Sequence, residues 1–256
     1  SGNSRMNERY VTRTLSRLHK RLAVFLHTWV GWLVFAVVAY VVGMYATTAI
    51  VFILGHLGLF ASLDQTSYVL IVRLIMYGVL LAAMIYIPHL LKQRLSLRDS
   101  GLARLMEWKD IGLGIAGVVL YFLLAMSALA VLKLIPGIDV NQTQDLDVGQ
   151  VYGFSRAIVF VVLVIITPIV EEILFRGMLY GGLRRRKLPV WATAIIVSLL
   201  FGVAHGQLNV GVDVFCLSMV ASYARELTGS IWAGTVLHMI KNLIAFIVVF
   251  SMGGGS

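Results

Sequence analysis

Charged residues are scarce in this chain. Lys, Arg, Asp and Glu make up 13% of its 256 residues, against about 25% in soluble domains. Hydrophobic residues reach 59% and mean hydropathy is +0.90, so a soluble globular domain is excluded and an integral membrane protein is expected. Cysteine is nearly absent. The single Cys216 rules out an internal disulfide framework and any multi-cysteine metal site. Acidic residues number 12 against 21 basic ones, a formal charge of +9. The basic residues cluster beside apolar runs, so anionic lipid and membrane topology account for them, and no nucleic-acid partner is expected. The start lacks a small-residue cleavage site after a short apolar core, so no cleavable signal peptide is expected. SGNS at 1–4 reads as a tag remnant and 252–256 as a linker left from cloning. An internal repeat of the kind that marks inverted-repeat transporters is also lacking.

What the chain has in abundance is apolar runs, at 22–60, 67–91, 112–135, 156–183, 190–206, 209–224 and 231–251. The first exceeds the roughly 20 residues that cross the hydrocarbon core. It therefore runs past the bilayer, bends near Gly43 or Gly55, or divides in two. The fifth and sixth are short and separated by a few residues that include Gly206 and Asn209, which leaves their division open. The expected fold is all-α, a polytopic membrane bundle of about seven (seven or eight) transmembrane helices.

Basic residues orient that bundle. Arg5, Arg9, Arg13, Arg17, Lys20 and Arg21 precede the first run; Lys92, Arg94, Arg98, Arg104 and Lys109 follow the second; Arg184, Arg185, Arg186 and Lys187 follow the fourth. The other connections carry Asp64, or Asp139, Asp145 and Asp147. The positive-inside bias places the N-terminus and both basic loops in the cytoplasm. Three parts result: a basic segment at 1–21, N-terminal transmembrane helices at 22–155, and 156–251. The first half holds few polar groups in its spans, chiefly Arg73 with His27 and His56. Nearly all intramembrane polar chemistry lies after residue 156.

Two adjacent glutamates stand out there, Glu171 and Glu172, in the run VFVVLVIITPIVEEILFRGMLYGGL. A carboxylate near mid-bilayer is costly, so an ionisable cluster at that depth marks a functional site. Adjacent residues point about 100° apart on a helix, whereas residues four apart share a face. Glu172 therefore stacks over Arg176, and Glu171 faces another helix. A desolvated glutamate without a local partner suits a general base working near neutral pH. Pro168 removes a backbone donor and is expected to bend the helix beside the site. Phe201 and His205 in FGVAHG, and His238 and Asn242 in HMIKN, repeat the four-residue spacing. The second pair aims two donors at one point, as oxyanion stabilisation requires. Counted from the cytoplasmic helix ends at 1.5 Å per residue, Glu171 lies about 18 Å deep and His238 about 10 Å, with His205 deeper. Interhelical hydrogen bonding, worth about 1 kcal/mol in membranes, is the bland alternative for each motif.

Glu171-Glu172-x-x-x-Arg176, Phe201-x-x-x-His205 and His238-x-x-x-Asn242 resemble, in order and spacing, the motifs of the CPBP family. That family holds the type II CAAX prenyl proteases and the bacterial Abi proteins linked to bacteriocin processing and self-immunity. The resemblance covers about 156–250, the stretch it implies to be a catalytic core; residues 1–155 add only hydrophobicity. One departure is FCLSMVASYARELTGS, where family members often carry glycines; Ser218, Ala221 and Ser222 are small substitutes there. The resemblance implies an intramembrane endopeptidase of the glutamic type acting on a membrane-associated or lipidated peptide. Glu171 and His205 would activate water, and His238 and Asn242 would stabilise the oxyanion. Glu172 and Arg176 would hold the site together, with Phe201 as pocket wall. It implies no cofactor. The expected partners are the bilayer and a peptide or membrane-protein substrate, prenylated in eukaryotic members, and the expected location is a prokaryotic cytoplasmic membrane. Lys241 and Asp213 also lie in apolar context, where Lys241 pairs with Asp213 or snorkels. Two other readings stay open. Glu171, His205 and His238 could ligate zinc, although no H-E-x-x-H helix is present. A non-catalytic membrane scaffold or regulator of the same fold is the second.

Overall fold

The computed structural model describes residues 14, 16–140 and 151–252. Arg5, Arg9, Arg13, Asp145, Asp147, residues 1–4 and residues 253–256 lie outside them. After a helical stretch at 16–26 come seven long helices: α1 Trp29–His56, α2 Gln65–Leu90, α3 Trp108–Leu132, α4 Gly153–Arg185, α5 Val190–Val203, α6 Leu208–Thr228 and α7 Trp232–Met252. These correspond one for one to the seven apolar runs. The overlong first run divides at His27 and Thr28, just after the helical stretch at 16–26, and most of the rest forms one 28-residue helix that Thr28 caps, accepting from the Gly31 N–H at 3.0 Å. Asp64 caps α2 in the same way, accepting from Ser67 N at 2.9 Å. These two side-chain caps on backbone N–H groups fix where each helix begins.

Five of the described helices, α1, α2, α3, α4 and α7, are long and apolar enough to cross a membrane. At 14 residues α5 is about 21 Å long, short of the roughly 30 Å hydrocarbon core. Helix α6 has the length, but it carries Asp213, Arg225 and Glu226. These two pack on each other at Gly202 and Gly211, where a Cβ on Gly202 would sit 2.7 Å from the Gly211 carbonyl oxygen. Any side chain at that crossing would force the helices apart.

Helix α4 is the centre of the molecule and is not uniform. Its α-helical stretches are Gly153–Phe160, Thr167–Glu172 and Gly181–Arg185, and between them run π-helical turns at Val161–Ile166 and Ile173–Tyr180. Pro168 explains the first of these. Its ring crowds the carbonyl four residues back, and the widened turn just before it relieves that contact, so the expected disturbance takes the form of a π turn. One face of α4 meets α5, α6 and α7 through the core around Phe201, Leu217, Val220 and Leu237. The other meets α1 and α2 through Trp32, Tyr77, Leu80 and Leu183.

The three basic segments meet at one end, as a positive-inside arrangement requires. Arg185 donates to the Arg94 carbonyl at 2.6 Å, and Arg186 donates to that of Leu26 at 2.6 Å. Arg184 pairs with Glu226 at 2.7 Å. The Arg186 guanidinium lies 4.1 Å over the buried Trp32 ring, and burial, with Arg185 beside it, pushes its pKa down to about 10. Trp32 in turn donates to the Met178 carbonyl at 3.2 Å, within the second π turn. The first helix is thus clamped to the helix that carries the glutamates.

Candidate active site

The α segment between the two π turns, Thr167–Glu172, presents both glutamates, and they face different surroundings. Glu172 is fully buried, as is Arg176, with 3.0 Å between Oε1 and Nη1. That contact is an ion pair by distance, but its angles are not those of an aligned hydrogen bond. The Arg176 guanidinium also lies 4.6 Å over the Phe201 ring, a favourable cation–π placement in a desolvated site. The second oxygen of Glu172 rests against Gly234 of α7, where a Cβ would come within 2.8 Å. A glycine at this crossing is what lets α7 close over the carboxylate.

His238 ties the two glutamates together from α7. Its Nδ1 is 3.3 Å from Glu172 Oε1 and its Nε2 is 3.7 Å from Glu171 Oε2. A carboxylate only accepts, so Nδ1 carries a hydrogen, an assignment made from the partner. Asn242, one turn further along α7, donates to the Leu163 carbonyl at 2.9 Å in the first π turn. The second amide hydrogen of its Nδ2 remains for another acceptor.

His205 departs from the sequence reading. It lies in the turn after α5, which ends at Val203, and not inside a helix spanning 190–206. Gly206, with φ of +70°, ends the helix there by taking the left-handed conformation that glycine adopts without strain. The four-residue relation to Phe201 survives: the rings lie 4.9 Å apart, and His205 Nδ1 is 2.8 Å from the Phe201 carbonyl. A carbonyl accepts, so Nδ1 donates and Nε2 is left with its lone pair. Phe201 is the fully buried hub of the site, its ring against those of His205, His238 and Phe175.

Glu171, His205, His238, Asn242 and Phe201 all line one cavity of about 860 Å³ between the α1–α2 pair and α4, α5 and α7. Sequence reasoning missed its other wall. Tyr77 of α2 donates to Glu171 Oε1 at 2.6 Å, and Tyr40 and Arg73 line the same space. The expectation that residues before 155 add only hydrophobicity is corrected by that hydrogen bond. Arg73 and Tyr77, four apart in an apolar helix, were the available signal. Lys241 is 3.7 Å from Asp213, which also accepts from Tyr121 at 2.6 Å, so the expected pairing forms. Ser218, Ala221 and Ser222 are all fully buried, and Ala221 packs at Gly234. Small size is what that surface needs. Among the described residues no three His, Cys, Asp or Glu side chains are grouped to hold one metal ion.

Comparison with known proteins bears on the same residues. The family model described as type II CAAX prenyl endopeptidase, Rce1-like, matches residues 153–244. An Escherichia coli protein named only as an uncharacterized 24.3 kDa protein is 37% identical over 79 residues, covering 29% of this chain and 36% of that protein. The Bacillus subtilis (strain 168) protein named "Putative membrane peptidase YdiL" is 26% identical over 140 residues, 54% of this chain and 50% of that protein. The chain therefore spans half or less of the length of these relatives. No solved structure matches it. The matched segment contains Glu171, Glu172, Arg176, Phe201, His205, His238 and Asn242, and over it this chain is similar to the Rce1-like type II CAAX prenyl endopeptidases.

Proposed function

We propose that this protein is an intramembrane endopeptidase that hydrolyses a peptide bond of a membrane-associated or lipidated peptide with a water activated by Glu171 and His205. The observation that carries the reading is the single cavity that brings Glu171, His205, His238 and Asn242 to one surface within the family-matched segment. Water adds to the scissile carbonyl carbon as its proton passes to the Glu171 and His205 pair. His205 Nε2, free because Nδ1 is held by the Phe201 carbonyl, is the nitrogen able to accept. The carbonyl electrons move onto oxygen, and that oxyanion lies toward the free amide hydrogen of Asn242 and toward His238, which donates from Nε2 when both of its ring nitrogens carry hydrogen. Collapse breaks the C–N bond, and the held proton goes to the leaving amine. Glu172 and Arg176 orient His238 and touch no substrate.

In the proposed reaction no metal takes part. The proposed setting is a prokaryotic cytoplasmic membrane with the basic end of the bundle in the cytoplasm. The test uses purified full-length protein in phosphatidylcholine liposomes, with a library of quenched fluorescent peptides that includes prenylated members. Glu171→Gln and His205→Ala are expected to lower cleavage by about 100-fold or more while thermal unfolding stays unchanged. Full cleavage by Glu171→Gln overturns the assignment. Loss of cleavage with EDTA, restored by zinc, overturns the metal-free route.

A further inference from the structure

The proposed hydrolysis leaves one charge in the cavity without a task. Arg73 lines the space beside Tyr77, and among the described residues it makes no ion pair or hydrogen bond. The other carboxylate, ammonium and imidazole groups on the cavity wall are engaged. Glu171 has Tyr77 on one oxygen at 2.6 Å and His238 facing the other at 3.7 Å. His205 is held by the Phe201 carbonyl, and Lys241 has Asp213. Arg73 sits about 12 Å along α2 from Gln65, by 1.5 Å per residue, where an uncompensated guanidinium is costly and calls for an anion.

We propose that Arg73 is the anion-binding subsite of this cavity, and that it takes a carboxylate of the peptide whose bond is placed over Glu171. This rests on the endopeptidase reading above. Three features favour that occupant. A guanidinium matches a carboxylate with two parallel hydrogen bonds, a fit that lysine lacks. Residues four apart on a helix are neighbours, so Arg73 stands one turn from the tyrosine that holds Glu171. An extended peptide bound at Glu171 therefore passes Arg73 within a few residues. A phospholipid phosphate, by contrast, stays at the interface, while this cavity extends inward to Glu171.

The experiment reads binding, so it does not depend on turnover. Full-length protein carrying His205→Ala is placed in phosphatidylcholine nanodiscs and titrated with a fluorescein-labelled decapeptide of Ala, Leu and Val. Three forms are compared: free C-terminal carboxylate, C-terminal amide, and the amide with one internal Glu. The acid-bearing forms are expected to bind about ten-fold tighter than the neutral amide, and which of the two gains more identifies the carboxylate that Arg73 reads. Adding Arg73→Gln should abolish the preference while the amide's affinity stays within about two-fold, and Arg73→Lys should retain part of it. Equal affinity of acid and amide forms, or binding of none of them, overturns the proposal. So does an equal loss for all forms in Arg73→Gln, which would make Arg73 a structural counter-charge. Displacement of the acid peptide by phosphatidylglycerol in the parent but not in Arg73→Gln would assign the site to a lipid headgroup instead, and equally overturns it. A preference that vanishes at Arg73 stands even if hydrolysis is never detected, and hydrolysis without preference removes the subsite alone.

Discussion

Glu171 and Glu172 are neighbours in sequence with separate surroundings. Helical spacing alone separated them, because residues four apart share a face, and the 3.0 Å contact of Glu172 with Arg176 follows that rule even though Arg176 lies in a π turn. The sequence could not say what Glu171 would meet, since its partners come from helices distant in the chain. Tyr77 is one of them, and its hydroxyl fixes the orientation of the carboxylate. In the proposed reaction Tyr77 is a positioning residue. Tyr77→Phe should lower kcat about ten-fold, in keeping with the loss of one hydrogen bond to a charged group, with KM within about two-fold. A proportional fall in kcat and thermal stability, or a rise in KM alone, would show that Tyr77 serves packing or substrate binding.

At the scale of the helix, apolar run length located the seven long helices, every end but the start of α1 to within four residues, because the bilayer demands long apolar runs. It failed where the regular α-helix fails. The depth count placed Glu171 and His238 about 8 Å apart along the membrane normal, yet they stand 3.7 Å from each other. That count assumes straight helices beginning in one plane. The π turns of α4 break the first assumption, and side-chain reach closes part of the remaining distance. His205 moved from helix to turn for a similar local reason, the left-handed Gly206. The contact between α4 and α7 depends on Gly234, whose missing side chain admits the Glu172 carboxylate. Gly234→Ala should force Glu172 and Ala221 aside and destabilise the protein by about 1–3 kcal/mol, the usual cost of overpacking. A thermal melt and a cleavage assay check this; an unchanged melting temperature would mean that α7 yields freely at the crossing.

At the scale of the whole molecule, the family-matched segment does not enclose the cavity by itself. Residues 153–244 supply Glu171, His205, His238 and Asn242, while α1 and α2 form the facing wall through Ala36, Tyr40, Met44, Arg73 and Tyr77. That division was hidden in the sequence because α1 shows only a hydrophobic run, and a run that faces lipid looks the same as one that faces a cavity. The residues of α1 that line the space recur every three or four positions, which places them on one stripe of the helix. If the peptide occupies the space between that stripe and Glu171, filling it from α1 should block binding and leave the chemistry intact. Met44→Trp adds bulk on the cavity side without touching Glu171, His205, His238 or Asn242. It should raise KM about ten-fold with kcat nearly unchanged, the signature of lost binding that is equal in ground and transition states. An unaltered KM would mean that substrate reaches Glu171 from another side of the bundle, and the α1–α2 wall would then only exclude lipid from the site.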